Sequence, residues 1–436
     1  MRTPVPFTAV AVISIVVAAC SSSAATPSPT TAPTPSPSAS APAASPSASA
    51  SGSEAPSGSP AASAAALSID DFDSSFSAMA TLKPVTSAGT GLVGVILPDV
   101  TTSARYTSYD LPYLKQAFEA AGYPATDFKI DNASGTATTE LALAQADIAA
   151  GAKVLLVDPL DSTTGNQIQA AAAAAGVPMI SYDRATFQGT NTYYVSFDNQ
   201  QVGKLIGQGL MQCVTDWGVT SPQVFTLDGG QDTDPNAIDF AKGYNSVIWG
   251  QPVAQVAKGA TNSAGYTLVN EQIAPGWDNK AGGTIFQQAY TADPSINATV
   301  EANDGLANAV IGDLKAAGVP AKKVPTTGQD ATLQGMESVL QGYQCGSVYK
   351  PIYLEAQAAA ALATYLRAGQ TPPASLINGT TTDPANSANT EPAVLLTPSW
   401  VNAANMESTV IKDKFVSATD LCTAVGASVC TAAGIQ

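Results

Sequence analysis

Residues 181–199 read S-Y-D-R-A-T-F-Q-G-T-N-T-Y-Y-V-S-F-D-N, and the reading of the whole chain turns on them. Two short runs with β character, 178–182 and 193–197, each end in polar residues: Asp183 and Arg184 after the first, Asp198 and Asn199 after the second. In an open parallel α/β sheet, ligands bind beyond the carboxyl ends of strands, so Asp183 and Arg184 fall where a site is expected. A carboxylate beside a guanidinium supplies acceptors and a planar fork of donors, which suits a ligand covered in hydroxyls. The same dipeptide also fits an ion pair that closes a loop.

Upstream of this stretch, apolar runs alternate with helix-like stretches. Strands are expected at 91–97, 128–130 and 154–157, and helices at 109–121, 138–150 and 164–175. Alternation at this spacing implies a doubly wound parallel sheet, one α/β domain reaching to about residue 197. Downstream the alternation starts again, with helices at 200–213, 237–248, 279–290 and 305–317 and strands at 224–227, 298–302 and 324–328. The expected fold is therefore α/β, with two doubly wound parallel-sheet lobes and a cleft between them.

The two ends differ in character. Residues 1–19 have a charged start, an apolar centre and small residues before Cys20, the pattern of a secretory signal rather than a membrane span. Cys20 after small residues resembles the bacterial lipobox, which implies cleavage before Cys20 and lipid on its sulfur. Residues 21–66 are almost wholly Ser, Ala, Pro, Thr and Gly. Such a stretch has too little apolar surface to offset the entropy of ordering and is expected to be a disordered stalk, reaching about 40 Å as a coil and about 140 Å in polyproline II. Residues 67–90 lead into the first strand.

A net charge of −16 argues against nucleic acid, whose binding rests on clustered Lys and Arg, and against anionic membrane surfaces as direct partners. The chain has no histidine, which removes the commonest metal ligand and general base; no metal or cofactor is expected. Apart from Cys20, four cysteines remain. Cys422 with Cys430 makes a small stapled loop and Cys213 with Cys345 follows by exclusion, while free buried thiols fit equally.

Two apparent motifs fail on context. Residues 89–94 match G-x-G-x-x-G, but the glycines lead into a strand instead of following one. Asp232, Asp234 and Asn236 begin like a calcium loop, yet Ala237 stands where the turn glycine is needed and Gly243 where a bidentate Glu should be. No phosphate-binding P-loop and no G-x-S-x-G elbow occur.

What remains is a coherent set of strand-end and loop residues: Arg105 with Tyr106, Asp183 with Arg184, Asp234 with Asn236, Trp277, Asn303 with Asp304, Asp330, and Lys350. Singly, each fits a cap, a turn or a solvated charge; Asp234-Pro235-Asn236, for instance, is a good helix start. Together they fit one ligand class. Asp and Asn accept from sugar hydroxyls, Arg and Lys donate to them, and an aromatic face covers the C–H side of a pyranose ring.

The motifs S-Y-D-R at 181–184, V-S-F-D-N at 195–199, D-G-G at 228–230 continuing to Asp234 and Asn236, A-N-D at 302–304, G-Q-D-A at 328–331 and V-Y-K-P-I at 348–352 resemble the periplasmic sugar-binding proteins of ABC transporters, ribose-binding type, and most closely their xylose-type branch. The likeness runs from about residue 91 to 415. It implies a type I periplasmic binding protein fold joined by a three-segment hinge, with crossings near Asp198, near Asp330 and before Leu395. It implies a first lobe of 91–197 plus 330–365 and a second of 198–329 plus 366–436. Carried over by position, Arg105, Asp183, Arg184, Asp234, Asn236, Asn303, Asp330 and Lys350 would hydrogen-bond a monosaccharide, D-xylose being favoured, while Trp277 would stack on one ring face. Tyr106 departs from the family's usual tryptophan. The partners implied are an ABC permease and, through lipid alone, the outer face of the cell membrane; the chain is expected to be monomeric and not an enzyme. Two other classes remain. An exported carbohydrate-acting enzyme would use Asp183 and Asp234 as acid and base, although Arg184 beside Asp183 opposes that role. A sugar-responsive repressor would need a DNA-binding head, for which the chain has no segment.

Overall fold

The computed structural model describes residues 67–103, 105–187 and 192–436; the expected signal segment, Cys20 and the stalk lie outside them. The first lobe is built on five parallel strands, β1 (Val93–Leu97), β2 (Phe128–Asn132), β3 (Val154–Val157), β4 (Met179–Tyr182) and β5 (Thr192–Phe197), in the order β2-β1-β3-β4-β5. β1, β3 and β4 are buried at every position, as near-continuous apolar runs should be when helices cover both faces of a sheet. Helices Leu111–Ala120 and Ile352–Arg367 pack together, as do Ala137–Ala149 and Ser162–Ala174. The alanines of Ile352–Arg367 are small enough for that helix to lie deep against the sheet, where Ala356, Ala358, Ala359, Ala360, Ala361 and Ala363 are fully buried.

The second lobe carries β6 (Gln223–Asp228), β7 (Thr267–Ile273) and β8 (Ala298–Glu301) in the parallel order β7-β6-β8, with β9 (Ser347–Tyr349) further along. β7 escapes the sequence reading because T-L-V-N-E-Q-I has no buried alternation; its residues are mostly half-buried at a sheet edge. Residues 324–329, of which 324–328 are expected as a strand, run beside β8 with side chains replacing part of the ladder. Thr299 N–H donates to the Pro325 carbonyl at 2.8 Å, but beyond it Glu301 N–H goes to Thr327 Oγ1 and Thr327 N–H to Glu301 Oε2, both at 2.9 Å.

The chain then returns to the first lobe. β10 (Gly379–Thr382) and β11 (Thr390–Leu396) extend the first sheet, β11 parallel to β5 and β10 antiparallel at the edge; β12 (Ser399–Val401) pairs antiparallel with β9. The lobes are thus joined by three crossings: after β5, at Lys350 and Pro351 between β9 and helix Ile352–Arg367, and between β11 and β12.

Two expected boundaries are corrected. The middle crossing is not at Asp330, because Gln329 bridges to Val348 and the capped helix Leu333–Leu340 buries Met336 and Val339 within the second lobe, so residues 330–349 stay there. Residues 366–396 belong to the first lobe, because β11 buries Val394 and Leu396 while pairing with β5.

The lead-in is an integral part of the first lobe. Leu67, Phe72, Phe76, Met79 and Leu82 are buried in its core, and Gln357 Nε2 donates to the Asp73 carbonyl at 2.8 Å. Cys213 is bonded to Cys345 and Cys422 to Cys430, with Cα atoms 5.8 and 5.7 Å apart. Trp400 sits against Gly209 and Gly346, where a Cβ atom would meet its ring at 2.3 and 2.6 Å, so only glycine admits it. No helix among the described residues is long and apolar enough to cross a membrane.

Candidate functional site

Each polar strand-end residue singled out above follows the carboxyl end of a strand or of segment 324–329, and the cleft brings them together. One cavity is lined by Arg105, Tyr106, Asp183 and Arg184 from the first lobe, by Asp234, Asn236, Trp277, Asn303 and Asp330 from the second, and by Lys350 at the middle crossing. Asp304, next to Asn303, is not in the lining. It is fully buried, and its carboxylate accepts from Thr332 N–H, Gln344 and Ser347, joining helix Asp304–Ala316 to the chain around β9.

The charged groups pair within the lining. Arg105 Nη1 donates to Asp183 Oδ1 at 2.5 Å, and Lys350 Nζ lies 3.2 Å from Asp330 Oδ1 and 3.7 Å from Asp183 Oδ1. The Lys350–Asp330 contact is an ion pair off the hydrogen-bond direction, so Asp330 Oδ1 is a buried acceptor without a hydrogen-bond partner. Burial alone would raise Asp183, but Arg105, then Lys350 and Arg184, outweigh it and hold the carboxyl below its ordinary value. Burial prevails at Asp234, which is raised despite Arg184 beside it.

Backbone geometry is unusual here. Asp183, Trp277 and Asp330 have φ of 57°, 62° and 89°, a left-handed region that non-glycine residues occupy only when their surroundings hold them there. The Asp183 carbonyl is gripped by Tyr194 Oη at 2.7 Å and, from the other lobe, by Asn236 Nδ2 at 2.6 Å. Trp277 is held by Nε1–H donating to Asp234 Oδ2 at 3.2 Å, and its ring lies on Gly229, where a Cβ would stand 2.1 Å from it. The D-G-G motif is therefore the seat of the tryptophan.

Several of these residues have less to offer a ligand than their type suggests. Four of the five N–H groups of Arg105 are committed to Asp110, Asp183 and Glu355. Asn236 spends Nδ2 on the Asp183 carbonyl, to which the one proton of the Tyr194 hydroxyl also goes. Asn303 caps helix Asp304–Ala316 through Oδ1, leaving its amide N–H₂.

Sequence reasoning missed Thr102, Ser103, Phe240 and Gln329 in the lining, and a layer of carboxylates behind it. Asp110 takes Arg105 in a bidentate grip at 2.9 and 2.8 Å and Glu355 takes it at 2.7 Å; Asp158, with neither oxygen hydrogen-bonded, lies 3.9 Å from Arg184. Glu355 had a legible signal, being the only acid of its apolar helix. Burial pushes it to about 8 despite Arg105.

Other buried acids share this fate. Burial pushes Glu140 and Glu301 to about 8 and Asp304 and Glu391 to about 7. Each raised acid holds more protons folded than unfolded between its ordinary value near 4 and its raised one, about 7 or 8, so stability falls as pH rises through that window. The protein should melt at a higher temperature at pH 5 than at pH 8; calorimetry giving the reverse order would mean these acids are ionised in the fold.

The sequence profile described as "Periplasmic binding protein domain" matches residues 93–371, and the chain belongs to that family, with its type I fold. It is 32% identical to the D-xylose-binding periplasmic protein of Escherichia coli K12, over 67% of this chain and 82% of that one. It is 29% identical to a multiple sugar-binding periplasmic protein of Azospirillum brasilense, over 78% and 96%. Among solved structures, a carbohydrate transporter solute-binding protein of Chloroflexus aurantiacus in complex with D-glucose superposes with a TM-score of 0.63 at 25% identity, covering 76% of this chain and 98% of that one.

Proposed function

We propose that the chain is the extracytoplasmic binding component of an ABC importer, tethered through a lipidated Cys20, and that it captures a neutral monosaccharide, foremost D-xylose, for delivery to a permease. The observation that carries this reading is the charge balance of the lining. Asp183, Asp234 and Asp330 face Arg105, Arg184 and Lys350, three carboxylates against three cations, with the Trp277 ring among them. Such a surface offers donors and acceptors without net charge, which suits a polyol rather than a sugar acid or an amine. Similarity to the xylose-binding and multiple sugar-binding relatives supports the same ligand class.

Binding couples to motion because the site is shared. A ligand that contacts both lobes gains interactions as they close and shifts the hinge toward the closed form, which a permease would then recognise. An enzyme using Asp183 and Asp234 would have to take its proton from Asp234, because Asp183 beside Arg105 is held as an ionised acceptor; against that alternative, the relatives reported above are sugar-binding proteins.

The test is thermal unfolding of the full-length chain against D-xylose, L-arabinose, D-ribose, D-glucose, D-galactose and xylobiose. A ligand at a hundred times its dissociation constant stabilises by about 2.7 kcal/mol, easily seen as a shift in melting temperature. The expected result is a large shift with D-xylose. A shift with another monosaccharide alone would replace the sugar and keep the role; no shift with any, or turnover of a xyloside, would overturn it.

A further inference from the structure

Arg184 is the lining cation whose donors are least balanced by carboxylates. Nη1 donates to the Pro159 and Leu160 carbonyls at 3.2 and 2.9 Å, and Nη2 donates to the Tyr106 hydroxyl at 2.8 Å; Asp234 and Asp158 stand off at 3.6 and 3.9 Å from Nε. A guanidinium only donates, so Tyr106 Oη is the acceptor in this bond and its own proton must go elsewhere. Among the described residues Tyr106 Oη has no second hydrogen-bond partner, while Tyr106 is 2% exposed and lines the cavity. Burial pushes the phenol up despite Arg184, so it keeps that proton. The ring itself is engaged, with the Cζ atoms of Arg105 and Arg184 over it at 5.8 and 5.7 Å from its centroid.

We infer that Tyr106 acts through its hydroxyl and not its ring face: it fixes Arg184 and, polarised by that bond, gives its proton to one oxygen of the bound ligand. The inference rests on the sugar-binding reading above. A hydroxyl that accepts from a cation is a stronger donor to the next group, so Arg184, Tyr106 and the ligand form one polarised chain. The ligand position opposite Tyr106 must then carry a hydroxyl, whose oxygen accepts. This makes Tyr106 a specificity-determining residue and leaves Trp277 as the stacking surface.

The test is calorimetric titration of wild type and Tyr106→Phe with the best sugar of the panel and its monodeoxy analogues. Tyr106→Phe keeps the ring and should bind the parent sugar 10- to 100-fold more weakly, because Arg184 and one ligand oxygen both lose a partner. One deoxy position should cost wild type a similar factor and the variant almost none. Equal affinity of the two proteins for the parent sugar overturns the inference, as does an unchanged penalty at every deoxy position. If Tyr106→Phe does not fold, Tyr106→Met replaces it: a thioether has no proton to give, so wild-type affinity there is equally damaging. Wild type binding no sugar at all would overturn the underlying reading, a result distinct from these.

Discussion

Arg105→Met should destabilise the protein by about 3–5 kcal/mol, the loss typical of leaving buried charge without its partner. Arg105 is 1% exposed and is the hub for Asp110, Asp183 and Glu355. Methionine roughly preserves the apolar stem, so little of the loss comes from packing. The deficit has a sign with pH. It should be largest near pH 8 and shrink toward pH 5 as Glu355, already pushed to about 8, takes a proton. Urea unfolding at the two pH values measures both quantities. Adding Glu355→Gln to the variant should restore part of the loss. A deficit below about 1 kcal/mol, unaffected by pH, would mean that Asp110 and Glu355 are satisfied without the arginine.

The second large effect concerns binding. Asp330→Ala should weaken ligand affinity by at least about a hundredfold, near 3 kcal/mol, and should also lower the melting temperature of the unliganded protein, because buried Lys350 loses its nearest carboxylate. Asp330 Oδ1 is the buried acceptor without a hydrogen bond, and Oδ2 accepts from Ser103 of the opposite lobe at 3.2 Å. Asp330→Asn separates charge from shape, because asparagine tolerates the left-handed backbone at φ 89°. It should lie between wild type and alanine. Undiminished affinity in Asp330→Ala would remove this residue from the site.

Much of this architecture was legible because strand ends announce themselves. β4 and β5 are short apolar runs that stop at Asp183 and Asp198, and β8 stops at Asn303; parallel-sheet geometry then places those ends at a cleft. The carboxylates behind the cavity were not legible in the same way. Asp110 reaches Arg105 from five residues away through a widened helical turn over Tyr106–Asp110, a spacing no regular helix would suggest. Asp158 resembles any acid before a proline until the fold buries it under Arg184. The swap of residues 330–349 and 366–396 between lobes has a similar origin. Local pattern identifies a helix or strand, but sheet pairing decides its neighbours, and neither β9 nor β11 declares its partner in its own residues.

The Cys213–Cys345 bond and the seat of Trp400 acquire a mechanical meaning when the three crossings are considered together. On the second-lobe side, helix Asn199–Asp216, β9 and β12 are the roots of those crossings; the disulfide ties the helix to the turn before β9, while Trp400 of β12 is wedged onto both. On the first-lobe side, β5 and β11 lie paired, and Asp198 N–H donates to the Leu396 carbonyl at 2.9 Å. Both ends of the joint are thus rigid plates, and the compliant material is confined to a few residues between them. A joint of that kind permits rotation about one axis and resists sliding. Opening about such a joint would turn the lobes like the covers of a book and bring the polar lining back in the same register on closing.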